Sequence, residues 1–263
     1  MPELGEVEIA RANLESWWVG RSVEEIVVLD PQVFSSGGHR FDDVMRSKAL
    51  EAGRRGKYLF VVFEHGDVVV FHFRMTGKIT RHEAPDPRFT RVAWRVGELW
   101  LCFQDARRLG HIDVFTKREF QDYAPISKMG PEPFGLTGDV LCQRVGSRGL
   151  KAALMDQSVI AGVGNIAVSE VFFQLGLAPA IRAEALSKTQ WQALADALDA
   201  FFKGVIAEHQ SDDMQYVNQG GDNPFEVYGK LGQPCPRCET PIERVKVAGR
   251  STYFCPNCQA PQV

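Results

Sequence analysis

The chain has 263 residues, a formal net charge of −3, 44% hydrophobic residues and 24% charged residues. This composition is typical of a water-soluble globular protein, and the length allows one large domain or two ordinary ones. No apolar run reaches the roughly 18 residues of a membrane span, and the acidic start lacks the pattern of a signal peptide. We therefore expect a cytoplasmic protein, or a nuclear one in a eukaryote.

The first part of the chain predicts a helix followed by strands. Apolar residues recur every three or four positions from Glu3 to Trp18, which predicts an amphipathic helix that ends before Gly20. β-Branched and aromatic runs then predict a strand in 22–30, two hairpins turning at His65-Gly66-Asp67 and near Gly97, and a strand over His111–Thr116.

The pattern changes to helical after the Pro/Gly-rich stretch 124–138. Helices are predicted over Asp139–Val145, Leu150–Gln157, Asn165–Leu175 and Ser187–His209, the last with a capping box of Ser187 and Gln190. The polar, Gly/Asn-rich segment Gln210–Pro224 predicts a loop. We divide the chain into residues 1–122, a linker at 123–137, residues 138–224 and residues 225–263.

Four of the six cysteines form the strongest local motif, with the spacing C-x2-C-x16-C-x2-C at Cys235, Cys238, Cys255 and Cys258. Four thiolates complete a tetrahedral zinc site with no open position, so the spacing predicts one structural zinc ion. Two disulfides or redox-active thiols are the alternative, which a chain without an export signal disfavours. The other two cysteines, Cys102 and Cys142, are predicted to be ordinary buried thiols.

The segment between the two cysteine pairs predicts a β-hairpin that turns at Ala248-Gly249, with Arg250 at the turn. From Gly229 to Cys258 there are five cations against two acids, so this module is basic although the whole chain is acidic. Such a hairpin suits contact with a phosphate backbone. The alternative is a folding clip whose charges are solvated.

The N-terminal stretch MPELGEVE predicts either a nucleophile or an ordinary helix start. If an aminopeptidase removes Met1, Pro2 carries a free secondary amine whose reference pKa of about 8 leaves much of it unprotonated near neutral pH. Such an amine attacks a sugar C1′ to give an iminium, and the adjacent Glu3 is placed to move protons. The alternative is that Pro2 only pre-organises the first helical turn.

Six motifs occur together and in order: MPELGEVE, GRRGKYLF, FRMTGK, DARRLG, GVGNIAVSE and GRSTYFCPNCQ. Together they resemble the formamidopyrimidine-DNA glycosylase / endonuclease VIII family, and are closer to its formamidopyrimidine branch. The resemblance implies an α+β multidomain fold. An N-terminal β-sandwich with a catalytic N-terminal helix would fill 1–122, a helix-two-turn-helix domain 138–224 and a β-hairpin zinc finger 225–263.

The resemblance also implies the function. Family members excise oxidised bases from double-stranded DNA and cut the strand by β,δ-elimination in base excision repair. By position, Pro2 would be the nucleophile and Glu3 the general acid/base, while Glu6 would support the helix start. A monomer acting on bacterial, nucleoid-associated DNA in the cytoplasm is expected.

The DNA-binding residues implied by the same resemblance fall into two groups. Lys57, which also belongs to the implied catalytic set with Pro2 and Glu3, would contact the phosphate next to the lesion. Met75, Arg107 and Leu109 would fill the gap left by the flipped nucleotide. The phosphate contacts on the C-terminal side would come from Asn165, Arg250 and, as a weaker candidate, Lys151. Alternatives drawn from the residues themselves are a surface lysine within a strand at Lys57, a core methionine at Met75 and plain N-capping by Asn165.

The chain departs from the family pattern at three places. Gly5 stands where the family usually has proline, and Leu109 stands where the formamidopyrimidine branch has phenylalanine. Segment 210–224 has its own sequence in the region that covers an everted 8-oxoguanine. Oxidised or ring-opened purines are the expected substrates, and oxidised pyrimidines and abasic sites remain alternatives.

Two further classes of function compete with the enzyme. The first is a damaged-DNA-binding protein on the same scaffold that does not cleave, which Gly5 and Leu109 favour. The second is a zinc-stabilised interaction protein with no DNA role, which leaves the co-occurrence of Lys57, Asn165 and Arg250 unexplained.

Overall fold

A computed structural model describes residues 2–35, 44–86, 88–208 and 223–260. The chain divides into two compact units. The first runs to Lys128 and also takes a segment from Ile206, and the second holds the rest of the chain from Met129. The four-part division drawn from the sequence stays a prediction.

The first unit is built on two antiparallel sheets of four strands. One has the order β1-β6-β7-β5 and the other β2-β3-β4-β8. In chain order the strands are β1 (Glu25–Val28), β2 (Ala49–Arg55), β3 (Tyr58–Phe63), β4 (Asp67–His72), β5 (Lys78–His82), β6 (Thr90–Val96), β7 (Leu99–Gln104) and β8 (His111–Thr116). Both predicted hairpins form, as β3–β4 and β6–β7. Strands β2 and β5 were not predicted.

The apolar core lies between the two sheets, as the period-2 pattern requires. Along β3 the inward residues Leu59, Val61 and Phe63 are buried while their neighbours are partly exposed. Phe71 of one sheet meets Trp94 of the other with ring centroids 5.7 Å apart. This sandwich confirms the fold expected for the N-terminal part.

Helix α1 (Leu4–Trp17) packs its apolar face into this same core. Val7, Ala10, Leu14 and Trp17 are all buried, which confirms the helical periodicity predicted from them. Gly20 follows with φ of +83°, a conformation that glycine adopts without steric cost and that turns the chain out of the helix.

The second unit contains most of the remaining helices. The helices of the chain after α1 are α2 (Lys117–Gln121), α3 (Ala124–Ser127), α4 (Gly138–Val145), α5 (Leu150–Leu154), α6 (Asn165–Gln174) and α7 (Lys188–Glu208). Ser187 and Gln190 form the predicted capping box, with N–O distances of 2.9 and 3.3 Å. Helix α5 ends earlier than predicted because Asp156 accepts the Ser158 N–H and draws the backbone into a turn. Helix α3 occupies part of the predicted linker at 123–137, and α2 lies just before it.

The chain's C-terminal hairpin pairs β9 (Glu243–Val247) with β10 (Arg250–Phe254). Its two turn residues, Ala248 and Gly249, both have positive φ, the geometry of a type I′ turn. The predicted hairpin is therefore confirmed at the predicted turn.

Three other expectations concern single features. Cys102 is buried as predicted, but Cys142 is exposed because it lies on the solvent side of α4. The predicted loop Gln210–Pro224 falls almost wholly on residues 209–222, which lie outside the described part of the chain. No helix in the described ranges has both the length and the apolar character needed to cross a membrane.

Candidate functional site

The chain's N-terminus is organised by a pair of glutamates. Pro2 and Glu3 are buried, with only 2% of Glu3 exposed, and Glu3 is the N-cap of α1. The backbone N–H of Glu3 donates to Glu6 Oε2 at 3.0 Å, so Glu6 holds the start of the helix as predicted from its position. Burial raises the pKa of Glu6, and the neighbouring Glu3 carboxylate adds to the rise. Pro2 and Glu3 therefore begin a rigid element.

Lys57 lies at the tip of the hairpin formed by β2 and β3. Arg55 pairs with Tyr58, so Gly56 and Lys57 are the two turn residues, and Gly56 takes a φ of +55°. This placement excludes a mid-strand position for the lysine. Lys57 is partly exposed.

His72 is a candidate functional residue that the sequence analysis missed. It pairs across the sheet with Tyr58, and its Nδ1 accepts the backbone N–H of Arg74 at 3.1 Å. Because Nδ1 is an acceptor, the neutral ring carries its proton on Nε2, which is then a hydrogen-bond donor. Burial lowers the pKa of His72 to about 3, and the positive charges of Arg74 and Lys57 contribute to the shift. His72 thus offers a neutral N–H close to two cations.

The three predicted gap-filling residues lie on two neighbouring turns of the first unit. Met75 is in the turn between β4 and β5 and is partly exposed, which disfavours a core methionine. Arg107 and Leu109 are exposed on the turn between β7 and β8, and 44% of Leu109 is accessible. A buried carboxylate, Asp105, accepts hydrogen bonds from both turns. The structure therefore brings these three side chains to one region.

In the second unit, Asn165 and Arg250 lie on elements that are joined to each other. Asn165 begins α6, and its Nδ2 donates to the Ser251 carbonyl of β10 at 2.8 Å. Its Oδ1 is buried and finds no hydrogen-bond partner within the described ranges. The N-cap residue is Gly164, which has no side chain to cap the helix, so Asn165 is not a plain N-cap. Arg250 is exposed at the start of β10.

Lys151 lies beneath this same hairpin. Only 1% of it is exposed, and its Nζ donates to Thr252 Oγ1 at 2.7 Å. The ammonium group therefore links α5 to β10 and is not a surface cation. The DNA contact assigned to it by resemblance stays a prediction.

The four cysteines of the predicted zinc site come together. Their sulfur atoms all lie within 4.8 Å of one another, and three of the Sγ–Sγ distances are 3.4, 3.4 and 3.9 Å. Zinc with four Zn–S bonds of about 2.3 Å requires sulfur atoms about 3.8 Å apart, so the donor set fits a tetrahedral ion. All four thiols are free, which excludes the disulfide alternative.

The zinc module is attached to the C-terminal end of α6. Arg237 Nη1 donates to the carbonyls of Phe173 and Gln174 at 2.9 and 3.3 Å, and its guanidinium lies 4.2 Å from the Phe173 ring centroid. A cation at this end of a helix satisfies its last carbonyls and complements the helix dipole. The finger is thus fixed to the helix whose other end carries Asn165.

Comparison with known proteins identifies the family. Three family profiles match in succession: the formamidopyrimidine-DNA glycosylase N-terminal domain at 1–112, the H2TH domain of the same enzymes at 129–215, and a zinc finger found in FPG and IleRS at 232–261. A formamidopyrimidine-DNA glycosylase of Desulfitobacterium hafniense is 34% identical over 272 aligned positions, which cover 98% of this chain and 100% of the relative. The chain belongs to the formamidopyrimidine-DNA glycosylase family.

Other relatives and solved structures agree with this membership. A formamidopyrimidine-DNA glycosylase of Streptococcus mutans is also 34% identical, with 98% of this chain and 99% of the relative covered. The Lactococcus lactis enzyme, solved with DNA containing FAPY-dG, superposes with a TM-score of 0.88 at 28% identity, covering 98% and 100% of the two chains. A MutM structure with DNA containing carbocyclic 8-oxo-G gives a TM-score of 0.87, also at 28% identity, and covers 99% of this chain and 100% of the other. The helix-two-turn-helix and zinc-finger assignments, with one structural zinc ion, are thereby confirmed.

Proposed function

We propose that this family member is a bifunctional DNA glycosylase and AP lyase that acts on double-stranded DNA in base excision repair. Solved relatives bind DNA containing FAPY-dG, an abasic site or carbocyclic 8-oxo-G. Oxidised or ring-opened purines are the substrates that we assign to this chain. We place this enzyme in the cytoplasm of a bacterium, as a monomer that works on the nucleoid; the relatives compared above are bacterial.

The observation that carries the proposal is the buried Pro2-Glu3 pair at the fixed start of α1. After removal of Met1, the lone pair of the Pro2 nitrogen attacks C1′ of the damaged nucleotide. The N-glycosidic bond breaks, and its electrons leave with the base, which takes up a proton. The Pro2 nitrogen then loses its proton and its lone pair forms the C=N bond as the C1′–O4′ bond of the sugar breaks, while Glu3 transfers the proton that O4′ takes up. The product is an iminium between Pro2 and C1′.

The iminium then promotes strand cleavage. Because it withdraws electrons, the C2′ proton is lost and the 3′ phosphate leaves, and a second elimination releases the 5′ phosphate. Water finally hydrolyses the iminium and frees Pro2. The thiolates of Cys235, Cys238, Cys255 and Cys258 would hold a zinc ion, which would supply folding free energy to the finger.

Binding must present C1′ to the Pro2 nitrogen, which a stacked base prevents. Flipping the nucleotide out of the duplex costs a few kcal/mol of free energy. Side chains offset this cost by filling the gap in the base stack and by binding the DNA backbone. We assign the gap to Met75, Arg107 and Leu109, and the phosphates to Lys57, Asn165 and Arg250.

Borohydride trapping tests the proposal, with the N-terminus of the protein first verified by mass spectrometry. We expect a covalent adduct with a duplex that contains an abasic site, 8-oxoguanine or a ring-opened purine. Pro2→Gly removes the secondary amine, so it should abolish the adduct while fluorescence anisotropy shows DNA binding within about threefold of the wild type.

Three results would count against this assignment in different ways. Trapping by Pro2→Gly at the wild-type level would show that another amine does the chemistry. Adducts with the abasic duplex alone would restrict the enzyme to lyase activity. No adduct from protein that starts at Pro2 would favour the non-cleaving damaged-DNA-binding protein, which the departures Gly5 and Leu109 support.

A further inference from the structure

The buried carboxylate of Asp105 joins the two turns that carry the gap-filling side chains. Only 1% of Asp105 is exposed. Its Oδ1 accepts the hydroxyl of Thr76, which follows Met75, and the backbone N–H of Arg107 at 3.1 Å. Its Oδ2 accepts the N–H groups of Leu109 and Gly110 at 2.8 and 2.6 Å. One side chain thus binds the neighbour of Met75 and the backbone of both Arg107 and Leu109.

The backbone of Asp105 is fixed as firmly as its side chain. Its carbonyl accepts two N–H groups of Arg91, at 2.9 and 2.6 Å, and its own N–H donates to the Phe89 carbonyl at 2.9 Å. Phe89 comes directly before β6 and Arg91 is the second residue of that strand, so the backbone of Asp105 is anchored to this sheet. The turns are therefore held by the sandwich and not only by each other.

The shape of the turn agrees with this arrangement. A Cβ at Gly110 would lie 2.9 Å from Phe103 Cζ and 3.1 Å from Asp105 Oδ2, so only glycine lets the backbone approach the carboxylate this closely. Arg108 takes a positive φ of 54°, and its Nε binds Asp30 at 3.1 Å. The side chain of Arg108 thus binds Asp30, and Arg107 and Leu109 on either side of it are exposed.

We propose that Asp105 is a positioning residue that makes Met75, Arg107 and Leu109 a single preorganised wedge. This inference rests on the proposed function, since it concerns the step in which a paired base is displaced. A wedge offsets the free energy of unstacking only if its parts enter the gap together and without losing conformational freedom at that moment. Asp105 itself touches neither the base nor the sugar.

The test compares a substrate that needs displacement of a base with one that does not. Asp105→Asn keeps the size of the side chain but replaces one acceptor oxygen by an NH2 group that faces backbone donors. We expect base excision from a lesion duplex to slow about tenfold to a hundredfold, the loss typical of hydrogen bonds to a charged group. Cleavage of a ready-made abasic duplex, which has no base pair to break, should slow less than about threefold.

A spectroscopic signal reports the wedge directly. 2-Aminopurine next to the lesion brightens when it is unstacked, so saturating wild-type protein should raise its fluorescence, and Asp105→Asn should lose most of this rise. Thr76→Val removes one donor and keeps the volume, so it should shift both readouts in the same direction by a smaller factor. If Asp105→Asn does not fold, Thr76→Val decides the question.

Asp113→Asn is the matched control. Asp113 is another buried carboxylate of the first unit, and it accepts the Ser35 hydroxyl at 2.7 and 2.8 Å. Asp113→Asn perturbs the sandwich through the contacts of Asp113 with Ser35 and His111, so it should change the two rates by the same factor. Equal slowing of both rates by Asp105→Asn, or an unchanged fluorescence rise, would overturn the proposal. A wild-type protein inactive on both duplexes would instead refute the proposed function, and the positioning role with it.

Discussion

At the scale of single residues, burial and a hydrogen bond together keep one histidine, His72, in its neutral form. His72 accepts the Arg74 N–H with Nδ1, and burial next to Arg74 and Lys57 disfavours its charged form. The ring therefore stays neutral in the folded protein at pH values where an unfolded chain protonates it. Such a difference couples the stability of the fold to pH.

The predicted consequence is a loss of stability in acid. The folded pKa of His72, about 3, is below its value of 6.5 in the unfolded chain, so the unfolded state binds more protons between these pH values. The free energy of unfolding should therefore fall as the pH is lowered from 7 to 4, with about 1–3 kcal/mol of the change due to this ring.

His72→Asn keeps an acceptor for the Arg74 N–H and removes the titration. Urea unfolding at several pH values should give a shallower dependence for the variant than for the wild type. Replacing the exposed His65 by asparagine is the control. Identical pH profiles for the wild type and His72→Asn would contradict the prediction.

At the scale of elements, polar contacts fix the zinc hairpin to the helices of its unit. Lys151 of α5 and Asn165 of α6 both bind β10, and Arg237 binds the last carbonyls of α6. Gln259 adds a bond from its Nε2 to the Leu177 carbonyl at 2.9 Å. The short hairpin therefore depends on its neighbours for orientation as well as on the metal for folding.

Thr252→Val tests this dependence, because it removes the hydroxyl that accepts the buried Lys151 ammonium while preserving the shape of the side chain. We expect a loss of about 1–3 kcal/mol in the free energy of unfolding, the cost of depriving a buried charged donor of an acceptor. Zinc release to a chelator should become faster. Both are measured on the zinc-loaded protein.

The adjacent Ser251 provides the control. It receives the Asn165 side chain through its backbone carbonyl, so Ser251→Ala keeps that bond. This variant should match the wild type within about 0.5 kcal/mol. A Thr252→Val protein as stable as Ser251→Ala would show that the Lys151 contact does not hold the hairpin.

At the scale of the whole molecule, the charge distribution matters more than the net charge. The chain carries −3 overall, yet the finger region from Gly229 to Cys258 is basic. Phosphate contacts release counterions, so DNA affinity depends on the number of local cations that meet the backbone. An acidic protein can therefore bind DNA through one basic module.

Salt dependence measures this contribution. The logarithm of the association constant should fall linearly with the logarithm of salt concentration, and Arg250→Ala should reduce the slope by about 1. Lys188→Ala makes the same change in net charge at an exposed lysine that pairs with Asp139, and it should leave the slope unchanged. Equal slopes for the wild type and Arg250→Ala would remove Arg250 from the DNA interface.

Features that depend on neighbours in the chain could be predicted from the sequence. Four such features rest on local patterns: the cysteine spacing, the Ala248-Gly249 turn, the hairpins predicted from alternating apolar residues, and the helix after Pro2. Strand β5 was missed because Lys78–His82 has too little apolar alternation, and β2 because Ala49–Arg55 becomes a strand only by pairing with β3. The family resemblance supplied the roles of residues that no local pattern could assign.

Contacts between distant positions were decided only by the tertiary structure. Asp105 meets Thr76 across 29 residues, and Lys151 meets Thr252 across 101. In the sequence, Asp105 is one acidic residue in a polar turn, and Lys151 is one lysine on a short helix. Their burial is stable only because the fold supplies hydrogen-bond partners to groups that would otherwise lose free energy on leaving water. The sequence by itself determined the chemistry that this protein carries, and the packing of the chain decided which side chains hold that chemistry in place.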